Sequence, residues 1–313
     1  MLSKMNGKTR WFSDFRKHKT YYFMLIPMVV FFILFAYLPM PGLYYAFVDY
    51  DFMRGLRSPF IGFKNFEFLF RGGSQSIIWR LTKNTVLYNI AFIALGNLCQ
   101  IAAAVILKEI KQKYFVRVSQ TLMLMPYFVS MVIVGVITYN LFNYNYGIIN
   151  NFLNSLGFEK YDFYQNPVVW PFIIVFVNVW KGLGYGVVVY LAAILGIDES
   201  IYEAAYVDGA SNWKRIKYVT LPLLKPTVIM MFLLSLGGIL KGSFDLFYQI
   251  IGNNGLLLNA TDIIDTYVYR TLAVNFNMGL GSAAGMYQSV FGFVLIMVVN
   301  TTVKKLSPDN ALF

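Results

Sequence analysis

The sequence predicts an all-α, polytopic membrane protein with six transmembrane helices and both termini in the cytoplasm. Three observations carry that prediction. Of the 313 residues, 58% are hydrophobic and only 13% are charged, where globular domains carry roughly 25% charged residues. The mean hydropathy is +0.57. Six runs reach about the ~20 apolar residues that a span needs: 21–47, 84–107, 119–141, 168–195, 221–241 and 282–303.

Taken in order, the tail before the first run holds Lys4, Lys8, Arg10, Arg16, Lys17 and Lys19. The first run exceeds the roughly 7–15 apolar residues of a signal peptide and ends in YLPMPGLYY, so it reads as a retained span. The connection after it carries Arg54, Arg57, Lys64, Arg71, Arg80 and Lys83. Between the second and third runs, KEIKQKYFVR brings Lys108, Lys111, Lys113 and Arg117. The fourth connection brings Lys214, Arg215 and Lys217, with Lys225 just beyond, and the C-terminal tail has Lys304 and Lys305. The segments on the side of the termini thus hold 16 of the 26 Lys and Arg. That excess places both termini inside. It also makes the net charge of +11 a matter of topology, not of nucleic acid.

The chain divides into 1–80 (tail, first helix, first extracytoplasmic loop), 81–303 (a five-helix core with a cytoplasmic loop at 198–222) and 304–313 (C-terminal tail). Loops three (142–167) and five (242–281) are long and rich in Asn, Tyr and Gly. Each is large enough to meet a partner or close over a cavity; the alternative is a passive connector. In loop five, Ile263, Ile264, Tyr267 and Leu272 recur at spacings near 3–4, which predicts a short amphipathic helix at the membrane interface.

Several chemistries are excluded. Cys99 is the single cysteine, so there is no disulfide framework and no Cys metal cluster. His18 is the single histidine, which leaves no His-rich metal site and no intramembrane Ser–His pair. GKT at Gly7–Thr9 lacks the earlier glycine and the strand-to-helix setting of a P-loop. GLGSAAG (Gly279–Gly285) lacks the strand of a dinucleotide fingerprint, and its small residues read as helix-packing contacts. No catalytic, cofactor-binding or metal-ligating residue is expected.

WKGLGYGVVVY (Trp180–Tyr190) places Lys181 inside the fourth span, where an ionised lysine costs about 2.5–3.5 kcal/mol on insertion scales. Asn178, Lys181 and Tyr185 share one helical face. They form a polar stripe on an aqueous path, or Lys181 snorkels or pairs within the bundle and the glycines serve close packing.

Between the fourth and fifth runs lies ESIYEAAYVDGASNWKRIKYVTLPLLKP, Glu199–Pro226. Asp198 suits the N-cap of a short helix, and Gly209 the left-handed position just past its end. Ser211 suits the cap of a second short helix, NWKRIKYV, and Pro222 the first turn of the next span. Two small helices crossing at a glycine corner make a cytoplasmic knob. Ala204 and Ala205 give it a smooth side, and Glu203 is expected to cap or pair within it.

At these residues the chain resembles a known family. Glu203-Ala204-Ala205, three residues, Gly209, nine residues, Val219, one residue, then Leu221-Pro222 is similar to the EAA loop of ABC importer permease subunits, with Val219 where the family has Ile. With DTYVYR and WKGLGYGVVVYLAAILGID, the likeness is to the carbohydrate branch and covers roughly residues 20–303. The resemblance implies a type I importer permease core in a bacterial cytoplasmic membrane, with no enzymatic activity and no cofactor in this chain. It implies a second homologous permease subunit, two ATPase subunits that hold ATP and Mg, an extracytoplasmic solute-binding protein, and an oligosaccharide substrate. Glu203, Ala204, Ala205, Asp208, Gly209, Leu221 and Pro222 are the implied ATPase-coupling residues.

A neutral sugar asks for hydrogen bonds and flat apolar faces. The candidates are Asn178, Lys181 and Tyr185 on the fourth span, Phe244, Asp245 and Tyr248 where the fifth span meets loop five, and Gln288 on the sixth. A helical continuation aligns Phe244 with Tyr248; the alternative is that both are belt aromatics. The competing class is an ion-coupled secondary transporter of a small polar solute. It needs ion-coupling sites within the spans and usually repeated halves, and acidic residues are nearly absent from the apolar runs.

Overall fold

The computed structural model describes residues 17–73, 76–236 and 242–306. The charges up to Arg16, the GKT stretch, the end of the fifth run (237–241) and the tail from 307 lie outside the described residues. Among the described residues, regular structure is helical apart from one isolated bridge between Val48 and Phe60.

Helix α1 (Lys19–Phe32) continues through a π turn (Ile33–Tyr37) towards a 3-10 segment (Met40–Phe47), one span of mean hydropathy 2.4. No residue of α1 is buried against the rest of the chain, as suits a helix that is apolar all round. Helix α2 (Lys64–Phe70) lies in loop one, and α3 (Ile77–Glu109) is the second span. Span α3 starts at Ile77 rather than at 84 because protein, not lipid, covers its polar outer turns. Arg80 Nη1 donates to Asn259 Oδ1 at 2.7 Å, Asn84 Nδ2 to Asp262 O at 3.0 Å, and the Thr85 hydroxyl accepts from Ile264 N–H at 3.1 Å.

The third run departs from expectation. In place of one helix over 119–141 there are two, α4 (Lys113–Phe128) and α5 (Met131–Phe142), bent by 98°. Pro126 deprives the last turn of α4 of an N–H. Val129 then turns extended (φ −70, ψ 130), and the Ser130 hydroxyl starts a new helix by accepting Ile133 N–H at 3.4 Å.

Helix α6 (Ile148–Ser155) lies in loop three, and α7 (Trp170–Leu195) is the fourth span. The knob contains α8 (Glu199–Val207) and α9 (Asn212–Arg215). The second knob helix is not separate from the fifth span. It runs through a π turn (Ile216–Thr220) into α10 (Leu221–Leu236), so that Asn212–Leu236 is one stretch of 25 residues. Pro222 accounts for the wide turn. Its ring crowds the carbonyl four residues back, and the turn widens there, with Leu221 N–H reaching Ile216 O.

Helices α11 (Phe244–Ile251), α12 (Leu258–Thr261) and α13 (Ile264–Tyr269) fold back into the bundle before the last span, α14 (Met278–Leu306). The helix expected at the lipid interface exists as α13, but protein covers it. Ile263, Ile264 and Tyr267 are 1%, 0% and 8% exposed. A spacing of 3–4 marks an apolar face; it does not say whether lipid or protein meets that face.

Three apolar clusters hold the bundle. Tyr190, Ile194, Leu107 and Leu224 join α3, α7 and α10. Tyr88, Trp170, Phe247 and Val134 join α3, α5, α7 and α11. Leu69, Ile264, Ala283 and Ala284 tie loop one to α13 and α14. In the GLGSAAG stretch, a Cβ at Gly281 would run into Leu272, and Ala283 and Ala284 are fully buried. Those small residues do serve helix packing.

Candidate functional site

The knob is built by its caps. Asp198 Oδ1 accepts Ser200 N–H at 2.9 Å; this bond, then the Ser200 hydroxyl, holds the carboxyl below its usual range. At the other end Gly209 takes φ +74. Its N–H bonds to Tyr206 O at 3.0 Å, and Ala210 N–H to Ala205 O at 3.0 Å. That pair of bonds is a Schellman motif, which uses up open helix carbonyls. The Ser211 hydroxyl accepts Lys214 N–H at 3.5 Å. Two braces set the knob against the bundle. Tyr202 Oη lies 3.1 Å from the hydroxyl of buried Thr220, and the Lys108 ammonium stands 5.3 Å over the Tyr202 ring.

Glu203 does not cap or pair within the knob. Its side chain is exposed and has no hydrogen bond or ion pair among the described residues, and as the fifth residue of α8 it lies beyond the first turn, where caps act. Ala204, Asp208, Gly209, Leu221 and Pro222 are also exposed, and Ala205 is half-buried. Beside them stand Tyr206, Val207 and Trp213, 71%, 84% and 71% exposed. Sequence reasoning missed this apolar rim. The available signal was three large apolar side chains in a polar loop.

On α7, Lys181 is fully committed. Its Nζ donates to Pro126 O, Tyr127 O and Val129 O at 2.5–3.2 Å. It thereby gives a donor to carbonyls where α4 ends, of which Pro126 O also accepts Val129 N–H at 3.2 Å. Of the two sequence readings, pairing within the bundle is the one the geometry gives. Tyr185 stacks on Tyr127 with centroids 5.4 Å apart and planes at 17°. A Cβ at Gly184 would strike the α4 backbone at Met123–Leu124, and Gly186 makes room for Gln100, which donates to Gly182 O at 3.2 Å. Asn178 is half-buried and has no hydrogen bond among the described residues.

A separate helix, α11, rather than a continuation of α10 aligns Phe244 with Tyr248; their rings stack at 5.2 Å and 16°. Tyr269 of α13, absent from the sequence-derived set, meets both at 4.9 Å. Asp245 is exposed and has no ion pair among the described residues. Gln288 Nε2 donates to Asp265 Oδ1 at 3.1 Å, and Gly242 N–H to Asp265 Oδ2 at 2.6 Å. No hydrogen bond or ring contact among the described residues joins this group to the stripe on α7.

Behind the aromatic group lies a polar anchor that the sequence did not reveal. The fully buried Asp262 carboxylate accepts from Arg270 at 2.6 Å and from the Thr266 hydroxyl at 2.8 Å, with Arg80 at 4.0 Å. It pins loop five to α3.

The family model for binding-protein-dependent transport system inner membrane components matches residues 96–307. Protein LplB of Bacillus subtilis (strain 168) is 32% identical over 301 residues, covering 96% of this chain and 93% of LplB. The polygalacturonan/rhamnogalacturonan transport system permease protein YteP of the same organism is 31% identical over 316 residues, covering 99% of this chain and 95% of YteP. Among solved structures, a chain of a bacterial ABC transporter involved in the import of the acidic polysaccharide alginate superposes with a TM-score of 0.85 at 30% identity, covering 95% of this chain and 99% of that chain.

Proposed function

The chain belongs to the family of binding-protein-dependent transport system inner membrane components, and from that premise we infer how it works. It is a transmembrane permease subunit of an ATP-driven ABC importer that moves a carbohydrate, oligosaccharide in size, into the cytoplasm. Nothing among its relatives supports ion-coupled secondary transport. The observation that carries the mechanism is the knob: a firmly capped element with an exposed Glu203 and an apolar rim of Tyr206, Val207 and Trp213. Exposed aromatic side chains of this kind anchor protein interfaces.

The partner at the knob is one of two ATPase subunits, which hold ATP and Mg and carry out all the hydrolysis. A second, homologous permease completes the pathway, and an extracytoplasmic solute-binding protein delivers the sugar. The setting is a bacterial cytoplasmic membrane. ATP binding draws the two knobs together. Because α9 runs unbroken into α10, that movement passes directly to the fifth span.

The sugar passes the aromatic group of Phe244, Tyr248 and Tyr269 with Asp245 and Gln288, then Asn178 and Tyr185. Lys181 serves this path through the backbone it holds. Flat rings suit sugar C–H faces, and a carboxylate forms stronger hydrogen bonds with hydroxyls than a neutral acceptor does. Replacing Tyr185, Asp245 or Gln288 with Ala should lower uptake more than it lowers assembly; three variants with normal uptake rate and sugar preference would refute the path. For the function itself, the purified complex should show ATPase activity that rises when the sugar-loaded binding protein is added. Sugar transport by this chain alone, without ATPase subunits, would overturn it.

A further inference from the structure

Going round α6 at about 100° per residue, three faces separate. One is packed into the protein. Asn150 is fully buried, donating to Asn143 O at 3.1 Å and Tyr161 O at 3.0 Å and accepting Tyr161 N–H at 2.8 Å. A second face is polar and exposed: Asn151, Asn154 and Ser155. The third is apolar and exposed: Ile148 at 63%, Phe152 at 62% and, just past the helix end, Leu156 at 58%. An ordinary surface helix meets two environments, core and water. A third face, apolar and adjoining the polar one, calls for a third environment.

We propose that this environment is the lipid of the outer leaflet, and that α6 is an interfacial helix seating loop three at the boundary between acyl chains and headgroups. Its place in the fold supports this. Residues 143–147 alone separate it from the outer end of α5, and Trp170, the first residue of α7, is tied to the same loop through Phe163 O at 2.6 Å. The loop therefore sits level with two span ends. The apolar stripe continues an already lipid-like surface, with Val132 and Val136 exposed on α5 and Phe172 on α7. Exposed Tyr144 lies beside it, with the Lys160 ammonium 6.0 Å over its ring and 3.1 Å from Asn145 O. Tyrosine and a bent-back lysine are boundary residues. Helix α6 has no charged residue, and its stripe is far smaller than the roughly 20–30 residues that a protein interface uses on each side. So seated, α6 holds the outer ends of α5 and α7 at constant depth while α10 moves. The proposal requires that the chain lie in a bilayer, not that it carry sugar.

The test uses membrane vesicles from cells making the whole transporter. Single nitroxide labels go on positions 148, 152, 151 and 154 in a Cys99→Ser background. Labels at 148 and 152 should collide severalfold more with oxygen than with a water-soluble nickel chelate, and labels at 151 and 154 the reverse. Nickel access at 152 equal to that at 151 overturns the proposal, because the stripe then faces water. Shielding of 148 and 152 from both reagents also overturns it, because a protein then covers them. The unlabelled transporter gives an independent reading. An apolar diazirine dissolved in the bilayer should modify the peptide containing Ile148 and Phe152, and no adduct there would contradict the assignment.

Discussion

Gly209 sits at φ +74 with nothing within 4 Å of where a Cβ would stand. A side chain there meets no steric wall; its penalty is the backbone conformation alone, about 1–2 kcal/mol for an L-residue in the left-handed region. Gly209→Val should therefore leave the spans assembled while misplacing α9 relative to α8. The expected outcome is normal complex yield with ATPase activity that no longer responds to sugar, and a fully coupled variant would contradict it. Lys181 makes the opposite kind of prediction. Its three bonds to carbonyls at and just past the end of α4 are charge-assisted, each worth about 1.5–3 kcal/mol. Lys181→Met should markedly lower the melting temperature of the detergent-solubilised protein, with Lys181→Arg restoring part of the loss. A Met variant that melts with the wild type would show that the break in the third span does not depend on this ammonium.

Among the elements, the knob was the most legible in sequence, because caps are local chemistry. Asp198, Gly209 and Ser211 each act within a few residues of themselves. The spans were legible from composition. What escaped were features set at long range. Arg80 and Asp262 are far apart in sequence yet meet in the anchor of loop five. The 98° break depends on Ser130 starting a new helix inside an apolar run, where hydropathy reads straight through. The pattern in α13 was read correctly as a helix and assigned to the wrong neighbour. Of the candidate residues, Phe244 and Tyr248 stack as their spacing leads one to expect, whereas Tyr269 joins them only through the fold. The anchor yields a prediction of its own. Asp262→Asn leaves Arg270 without its counter-charge in a buried site, and breaking such a pair costs about 3–5 kcal/mol. Limited proteolysis should then cut loop five much faster than in the wild type, and an unchanged rate would count against the anchor.

At the scale of the whole molecule, the parts divide by side of the membrane. Asp198, Gly209 and the rim at Trp213 shape the knob that we propose docks on the ATPase subunit. The aromatic group and the Asp262 anchor shape the opposite end. The most direct measurement is carbohydrate uptake by proteoliposomes holding the complex, with ATP inside or outside and with ionophores that collapse ion gradients. The account predicts uptake that needs ATP on the knob side, persists with ionophores, and fails in Gly209→Val. Uptake that follows an ion gradient and needs neither ATP nor the ATPase subunits would contradict it.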